Sequence, residues 1–270
     1  MNILETIVEQ KKKEVAEKKA MMDIDFLKFM NNDFEKKGRS LKEKLSNGKP
    51  NIIAEFKRKS PSKGWMNEGI HLSEVVPDYE DHGAAAISVL TDKEFFGGEI
   101  EELKIARLEV DIPLLRKDFM IDEFQLYEAK SYGADVILLI AACLSKEKVK
   151  TLAAKAKELQ LEVLLEIHSK EETDCICDEV DIIGINNRSL ETFVTDIKTS
   201  MELIEFLPAD RPLISESGIT DVDTIINLHK LGFKGFLIGE AFMKTPKPAI
   251  AFADFMKALQ TSLKGGFKRG

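Results

Sequence analysis

Beyond Pro50 the chain settles into short apolar runs rich in Val, Ile and Leu, separated by polar stretches long enough for helices. Eight such runs can be counted: NIIAEFK from Asn51, AAAISVL from Ala84, IPLLRKD from Ile112, DVILLIA from Asp135, LEVLLEI from Leu161, VDIIGIN from Val180, RPLISES from Arg211 and KGFLIG from Lys234. Near-continuous apolar runs of this length predict strands buried on both faces. The intervening stretches, among them DEFQLYEAKSYG, SKEKVKTLAAKAKELQ and TDVDTIINLHKLGF, are amphipathic, with Asp, Ser or Thr near their starts and Gly near their ends, as helix boundaries require. Gly83, Gly133 and Gly232 each stand between a helical pattern and the next strand, where a helix closes in a left-handed conformation. Strands that alternate with helices imply a parallel sheet, because parallel neighbours need crossover connections. An open doubly wound sheet and a closed (β/α)8 barrel both satisfy this. Eight repeats over roughly 220 residues favour closure, so the expectation is an α/β fold of the TIM-barrel type.

Residues 1–48 read differently. They are rich in Lys and Glu, with Ile3, Ile7, Val15, Phe26, Leu27, Leu41 and Leu45 at loosely helical spacing. They are expected to form an N-terminal helical extension packed on a barrel made by residues 49–270, the whole being one domain. The charge run KKKEVAEKK within it reads as a solvated helix face. A net charge of −8 argues against a nucleic-acid partner or an acidic membrane surface, which need a basic face to release counterions. Cys143, Cys175 and Cys177 lack C-x-x-C spacing, so neither a disulfide framework nor a zinc site is indicated, and reduced thiols in a cytoplasmic protein are expected. The N-terminus lacks the apolar core of a signal peptide, and no apolar run is long enough to span a bilayer. A monomer or weak homo-oligomer is expected.

If the fold is a barrel, the chemistry belongs at the C-terminal ends of the strands. Polar residues collect there: Glu55 and Lys57 after the first run, Arg116, Lys117 and Asp118 after the third, Glu166 in the fifth, Asn186, Asn187 and Arg188 after the sixth, Glu216, Ser217 and Gly218 after the seventh, Gly239 and Glu240 after the eighth. Closure would bring them together. Lysine there can hold an anion or, where crowding lowers its pKa, give up a proton near neutrality. Glu166 lies among apolar neighbours, so desolvation is expected to raise its pKa, with a structural ion pair to a lysine as the plainer role. Glycine turns after the last two runs suit a phosphate held by backbone N–H groups. No G-x-G-x-x-G or P-loop pattern occurs. His71, His82, His168 and His229 are scattered and read as surface or core-edge histidines, so no metal or other cofactor is expected.

The phrases IIAEFKRKSPSKG, LLRKDFM, GADVILLI, LLEIHS, IGINNRSLETF, ISESGI and FLIGEAFM follow in order from Ile52 to Met243, and through them the sequence resembles the indole-glycerol-phosphate synthase family of tryptophan biosynthesis. The resemblance implies a lyase that closes an indole ring on a carboxyphenylamino-deoxyribulose phosphate, releasing carbon dioxide and water. It implies Lys117 as general acid, Glu166 as acid/base carboxylate, and Lys57 as a contact to the substrate's carboxylate or phosphate that shuttles a proton. Glu55, Asn186 and Ser217 fall on supporting polar positions. Arg188, Ser60 and Glu216 fall on substrate-binding ones. Gly218, Gly239 and Glu240 fall on the phosphate cradle, together with Lys57, and Phe96, Phe119 and Leu138 on the wall of the aromatic ring. Plain core packing is an equal reading for those three.

One departure stands out: Ser189 occupies a place where the family usually has aspartate, for which altered loop packing is expected and not loss of catalysis. The doubled amide Asn186-Asn187 leaves two choices for the substrate-facing residue. Asn186 is favoured by its place two residues before Arg188. A phosphosugar isomerase or aldolase, or a non-catalytic phosphate-binding barrel, would share the scaffold and the glycine turns.

Overall fold

The computed structural model describes residues 3–190 and 192–266. All eight apolar runs form strands: β1 (Asn51–Phe56), β2 (Ala86–Leu90), β3 (Leu114–Lys117), β4 (Val136–Ile140), β5 (Glu162–Ile167), β6 (Ile182–Asn186), β7 (Leu213–Glu216) and β8 (Gly235–Ile238). They pair in parallel in chain order, and β1 closes on β8 with Asn51 opposite Gly235 and Ala54 opposite Ile238. The fold is therefore the closed (β/α)8 barrel that the alternation predicts. Gly83, Gly133 and Gly232 all have positive φ, at 92°, 90° and 127°, where a side chain would be strained. Helices Glu123–Ser131, Lys146–Glu158 and Val222–Leu231 start on the side-chain caps of Asp122, Ser145 and Asp221. Two details depart from the repeat. The crossover after β5 carries only the short 3-10 helix Glu171–Cys175, and residues just after β1 form an antiparallel hairpin, Lys59–Ser60 against Gly64–Trp65.

The two-residue period of a strand sorts side chains into two cores. Ile52, Ala54, Ile87, Leu114, Leu139, Leu165, Ile183 and Phe236 face outward and pack under the helices. Ile53, Ala86, Leu115, Val136, Leu138, Leu164, Ile182, Ile214 and Leu237 fill the barrel interior. Continuing the inward alternation by one step places Glu55 above Ile53, Lys117 above Leu115, Glu166 above Leu164 and Glu216 above Ile214. The same rule that builds the apolar plug therefore aims four charged side chains into the barrel mouth.

The N-terminal segment is three helices: α1 (Ile3–Met21), α2 (Ile24–Phe29) and α3 (Leu41–Leu45). The last closes the barrel floor, with Leu41 and Leu45 joining the interior core and Gly235 leaving room for Leu45, whose Cδ2 lies 2.8 Å from where a Cβ would stand. The Glu162 carboxylate accepts from the Leu41 and Lys42 N–H groups at 2.8 and 3.0 Å. The first helix lies at the opposite end, where Ile7 joins the upper interior layer. Its charge run is not wholly solvated. Lys11 is 1% exposed and pairs with Glu14, Asp92 and Asp118 at 2.7, 2.9 and 2.9 Å, because the helix presents this face to the barrel.

Candidate active site

A cavity of about 540 Å³ opens at the C-terminal ends of the strands. Every candidate residue lines it: Glu55, Lys57, Ser60, Phe96, Lys117, Phe119, Leu138, Glu166, Asn186, Arg188, Glu216, Ser217, Gly218, Gly239 and Glu240. At its centre the Lys117 Nζ donates to Glu166 Oε2 at 2.8 Å and lies 3.6 Å from Glu216 Oε2. Beside them Lys57 pairs with Glu55 at 2.6 Å. Gly239 makes room for that pair, since a Cβ there would stand 2.6 Å from Glu55 Oε1. Likewise a Cβ on Gly184 would collide with Glu216 Oε1, so this strand glycine leaves space for a buried carboxyl.

Two expectations about proton affinity are overturned. Burial does push the Glu166 carboxyl upward, but the adjacent Lys117 charge, helped by His168 and by hydrogen bonds from Lys117 and Asn186, outweighs it and holds the group down at about 2. For Lys117, burial favours the neutral amine, yet Glu166, Glu216 and Glu55 together raise it above the ordinary lysine value. The pocket is not crowded with cations; around this lysine it is crowded with acids. The carboxyl that burial does raise is Glu216, well above the usual range, because Lys117 only partly offsets desolvation and the neighbouring Glu166 charge adds to it. The centre thus sets an ammonium against one carboxylate held low and a second carboxyl of raised proton affinity.

At the rim two cations share the carboxylate of Glu240. Arg188 donates to Ser62 Oγ at 2.7 Å and to Glu240 Oε2 at 3.1 Å, and Lys63 lies 3.9 Å from Glu240 Oε1. Neither Ser62 nor Lys63 stands out in the sequence; the hairpin after β1 carries them to the cavity. The Ser60 hydroxyl is buried with no hydrogen-bond partner. Ser217 and Gly218 both take positive φ, 67° and 77°, so the chain turns sharply after β7 and a Cβ on Gly218 would meet Thr195 Cγ2 at 2.5 Å. Phe96 and Phe119 lie with ring centroids 6.1 Å apart on one wall, near the buried Leu138. Ile3, Leu4 and Ile7 of α1 add an apolar margin that sequence periodicity does not locate.

Not every strand-end polar residue faces this space. The Arg116 guanidinium, next in the chain to Lys117, points outward and is held by Glu128 at 2.7 Å, Asp118 at 3.1 Å and the Gln125 carbonyl at 2.9 Å. Asn187 also turns away, donating to Ser215 Oγ and the Glu216 carbonyl at 2.9 Å and accepting from Ser200. Asn186 is the amide on the cavity, and its Oδ1 accepts from the Arg188 N–H at 3.0 Å. Ser189 organises the following loop, with its hydroxyl accepting from the Thr192 N–H at 3.2 Å and its own N–H donating to the Val194 carbonyl at 2.9 Å. A serine can supply this local bond as an aspartate would, though more weakly. Among the described residues, no three His, Cys, Asp or Glu side chains are grouped so as to hold a metal ion.

The barrel is similar to solved structures at low identity. Salmonella typhimurium 3-hexulose-6-phosphate synthase matches with a TM-score of 0.61 at 13% identity, over 78% of this chain and 99% of that one. The tryptophan synthase alpha subunit of Legionella pneumophila matches with 0.59 at 12% identity, over 83% and 98%. These likenesses show the fold. Sequence relatives go further. Indole-3-glycerol phosphate synthase of Bacteroides thetaiotaomicron is 50% identical over 259 residues, 96% of this chain and 99% of that protein. The enzyme of the same name from Caldanaerobacter subterraneus is 44% identical over 259 residues, with the same coverage. The family model for indole-3-glycerol phosphate synthase matches residues 4–255, and with these relatives it shows that the chain belongs to the indole-3-glycerol phosphate synthase family.

Proposed function

We propose that the family's ring closure runs in this cavity with Lys117 as general acid and Glu166 as the carboxylate that takes and returns protons. The observation that carries the assignment is the 2.8 Å Lys117–Glu166 pair at the cavity centre, with Glu216 3.6 Å from the same ammonium. The raised proton affinity of Lys117 keeps it an ammonium across the neutral range, ready to protonate the carbonyl oxygen as the anilino ring carbon attacks. Loss of carbon dioxide then restores the ring, and departure of water completes the indole. Glu166, ionised beside Lys117, accepts the carbon-bound proton released in that last step. Lys57 and Arg188 fit the substrate's carboxylate and hydroxyl groups, and Ser60 offers an unpaired hydroxyl.

The phosphate fits the end of the cavity where Gly218 and Gly239 expose backbone with no side chain and Lys63 and Arg188 supply charge. An incoming phosphate would compete with Glu240 for Arg188, so the Glu240 carboxylate holds the guanidinium in place until substrate arrives. Phe96, Phe119 and Leu138 suit the anilino ring. Much of the acceleration then comes from holding the flexible pentulose chain with its carbonyl carbon against the ring. No helix among the described residues is long and apolar enough to cross a membrane. A cytoplasmic protein acting as a monomer or weak homo-oligomer on a small phosphorylated substrate is the setting proposed for this reaction. Residues 1–48 fit the role of a helical extension of the barrel domain, since they supply both its floor and part of the cavity rim.

The test is turnover of 1-(2-carboxyphenylamino)-1-deoxyribulose 5-phosphate by purified protein with a chelator present, followed by indole fluorescence. A rise in fluorescence is expected. No rise from folded protein would defeat the reading.

A further inference from the structure

We propose that His168 is a relay residue that returns protons to Glu166 from a second cavity, through Glu172. The inference rests on the reaction proposed above, because that reaction has a proton demand. Two protons enter: one onto the carbonyl oxygen as the new carbon–carbon bond forms, and one onto the resulting hydroxyl as its carbon–oxygen bond breaks and water leaves. One proton leaves a carbon for the base. Carbon dioxide departs neutral from a carboxylate, its bonding pair returning to the ring. Each turnover therefore takes up one proton from solvent, while substrate fills the cavity and separates the Lys117–Glu166 pair from bulk water.

The structure contains a path on the far side of Glu166. One carboxylate oxygen, Oε2, is taken by Lys117; the other, Oε1, lies 3.4 Å from His168 Nε2. The opposite ring nitrogen, Nδ1, lies 3.6 Å from Glu172 Oε2. The imidazole is 11% exposed, and both ring nitrogens are buried without a hydrogen-bond partner. A buried ring with two unsatisfied nitrogens is costly unless those nitrogens are used. A small rotation would bring each within bonding distance of a carboxylate. The ring is set in this place by its own backbone, whose N–H donates to Glu172 Oε2 at 2.7 Å and thereby also fixes the acceptor.

His168, Glu172 and Ser169 line a second cavity of about 630 Å³ that adjoins the first, with Leu4, Asn186 and Leu190 lining both. The Glu172 side chain is 20% exposed, so it can exchange protons with water. Among the described residues, the carboxylates facing the ring nitrogens are Glu166 from β5 and Glu172 from the 3-10 helix; Cys143, at the end of the 3-10 helix Ala141–Cys143, feels the charges of both glutamates and of Lys117, and Asp196 lines the second cavity. Burial, with the two glutamates, pushes the Cys143 thiol up to about 12, which keeps it out of the exchange. An imidazole between two carboxylates passes a proton by giving one from Nε2 to Glu166 and accepting one at Nδ1, then turning over its tautomer. No bond other than those to hydrogen changes.

The test uses the intact chain carrying His168→Gln and, separately, Glu172→Gln, with the same indole fluorescence assay. In His168→Gln, kcat is expected to fall on the order of 10-fold or more while KM stays within about 2-fold, since no substrate contact is lost. The deficit should be steeper at alkaline pH and should shrink as imidazole is added. Glu172→Gln should show a milder version of the same pH-dependent loss. Unchanged kcat in both variants, or a loss in well-folded protein that imidazole leaves untouched, would overturn the relay. If His168→Gln does not fold, the outcome for Glu172→Gln decides. Failure of the wild-type protein to make indole product would instead sink the reaction itself.

Discussion

Replacing Lys11 by methionine isolates the attachment of α1. The substitution keeps the length of the side chain and removes its charge from among Glu14, Asp92 and Asp118. Asp118 is well provided for afterwards: Arg116 remains at 3.1 Å, Thr91 donates at 2.6 Å and the Phe119 N–H at 2.8 Å. Asp92 is not, for it retains the Phe95 N–H at 2.8 Å and no paired cation. Removing one partner of a buried pair costs about 3–5 kcal/mol, and the surviving bonds of Asp118 argue for the lower end, about 3 kcal/mol. The apolar grip of α1 comes from Ile7 and Val15, worth about 2 kcal/mol each when buried. The loss is thus comparable to the grip. The helix should stay mostly docked while its open population rises by about 100-fold and the barrel stays folded. Trypsin reports this, because α1 is rich in lysine and cleavage of a rapidly opening segment scales with the open fraction. Cleavage within α1 should accelerate by about 100-fold at unchanged far-UV circular dichroism. Cleavage at the wild-type rate would refute the assignment of Lys11 as the anchor.

Three further outcomes follow from the site. Lys117→Ala should fold normally and lose turnover by on the order of 100-fold or more, the usual cost of a general acid; undiminished kcat would remove its role. Glu216→Gln should stabilise the protein increasingly as pH rises. A carboxyl raised in the folded state contributes stability below its ordinary pKa near 4.5 and loses it, at about 1.4 kcal/mol per pH unit, until the folded pKa is reached. Thermal melts at pH 4.5 and 8 should show a larger gain at pH 8, and an equal gain would contradict the raised value. Gly239→Ala should push Glu55 off Lys57 and cost about 1–3 kcal/mol of stability, read by urea unfolding, with kcat/KM reduced by about 10-fold or more.

The barrel is legible in the sequence because its information is local: apolar runs with glycine closures repeat, and the two-residue period carries Ile53 to Glu55 and Leu164 to Glu166 on one face. That alternation plus closure places the strand-end charges on one cavity, whereas Ser60, Phe96, Phe119 and Leu138 are expected there only from the family resemblance. What the sequence hides is how charges are shared once inside. Glu166 and Glu216 both follow apolar strands and look alike, yet Lys117 sits 2.8 Å from one and 3.6 Å from the other, and their proton affinities part in opposite directions. Lys11 sits in a run that looks uniformly solvated, and only the docking angle of α1 singles it out. His168 reads as an isolated histidine because its partners lie two and four residues away, across the end of a strand.

The seam between β1 and β8 bears on how the chain comes to be made. Asn51 stands opposite Gly235 and donates its N–H to the Lys234 carbonyl at 3.0 Å, at the start of the last strand of the barrel. During synthesis the edge of β1 must therefore wait, unpaired on that side, until β8 has emerged. Such an edge invites pairing with other nascent chains. The helix α3, made earlier, packs Leu45 against Gly235 in the folded chain. The floor helix can in this way act as a temporary guard over an open sheet, holding the first strand in register for a partner that arrives last.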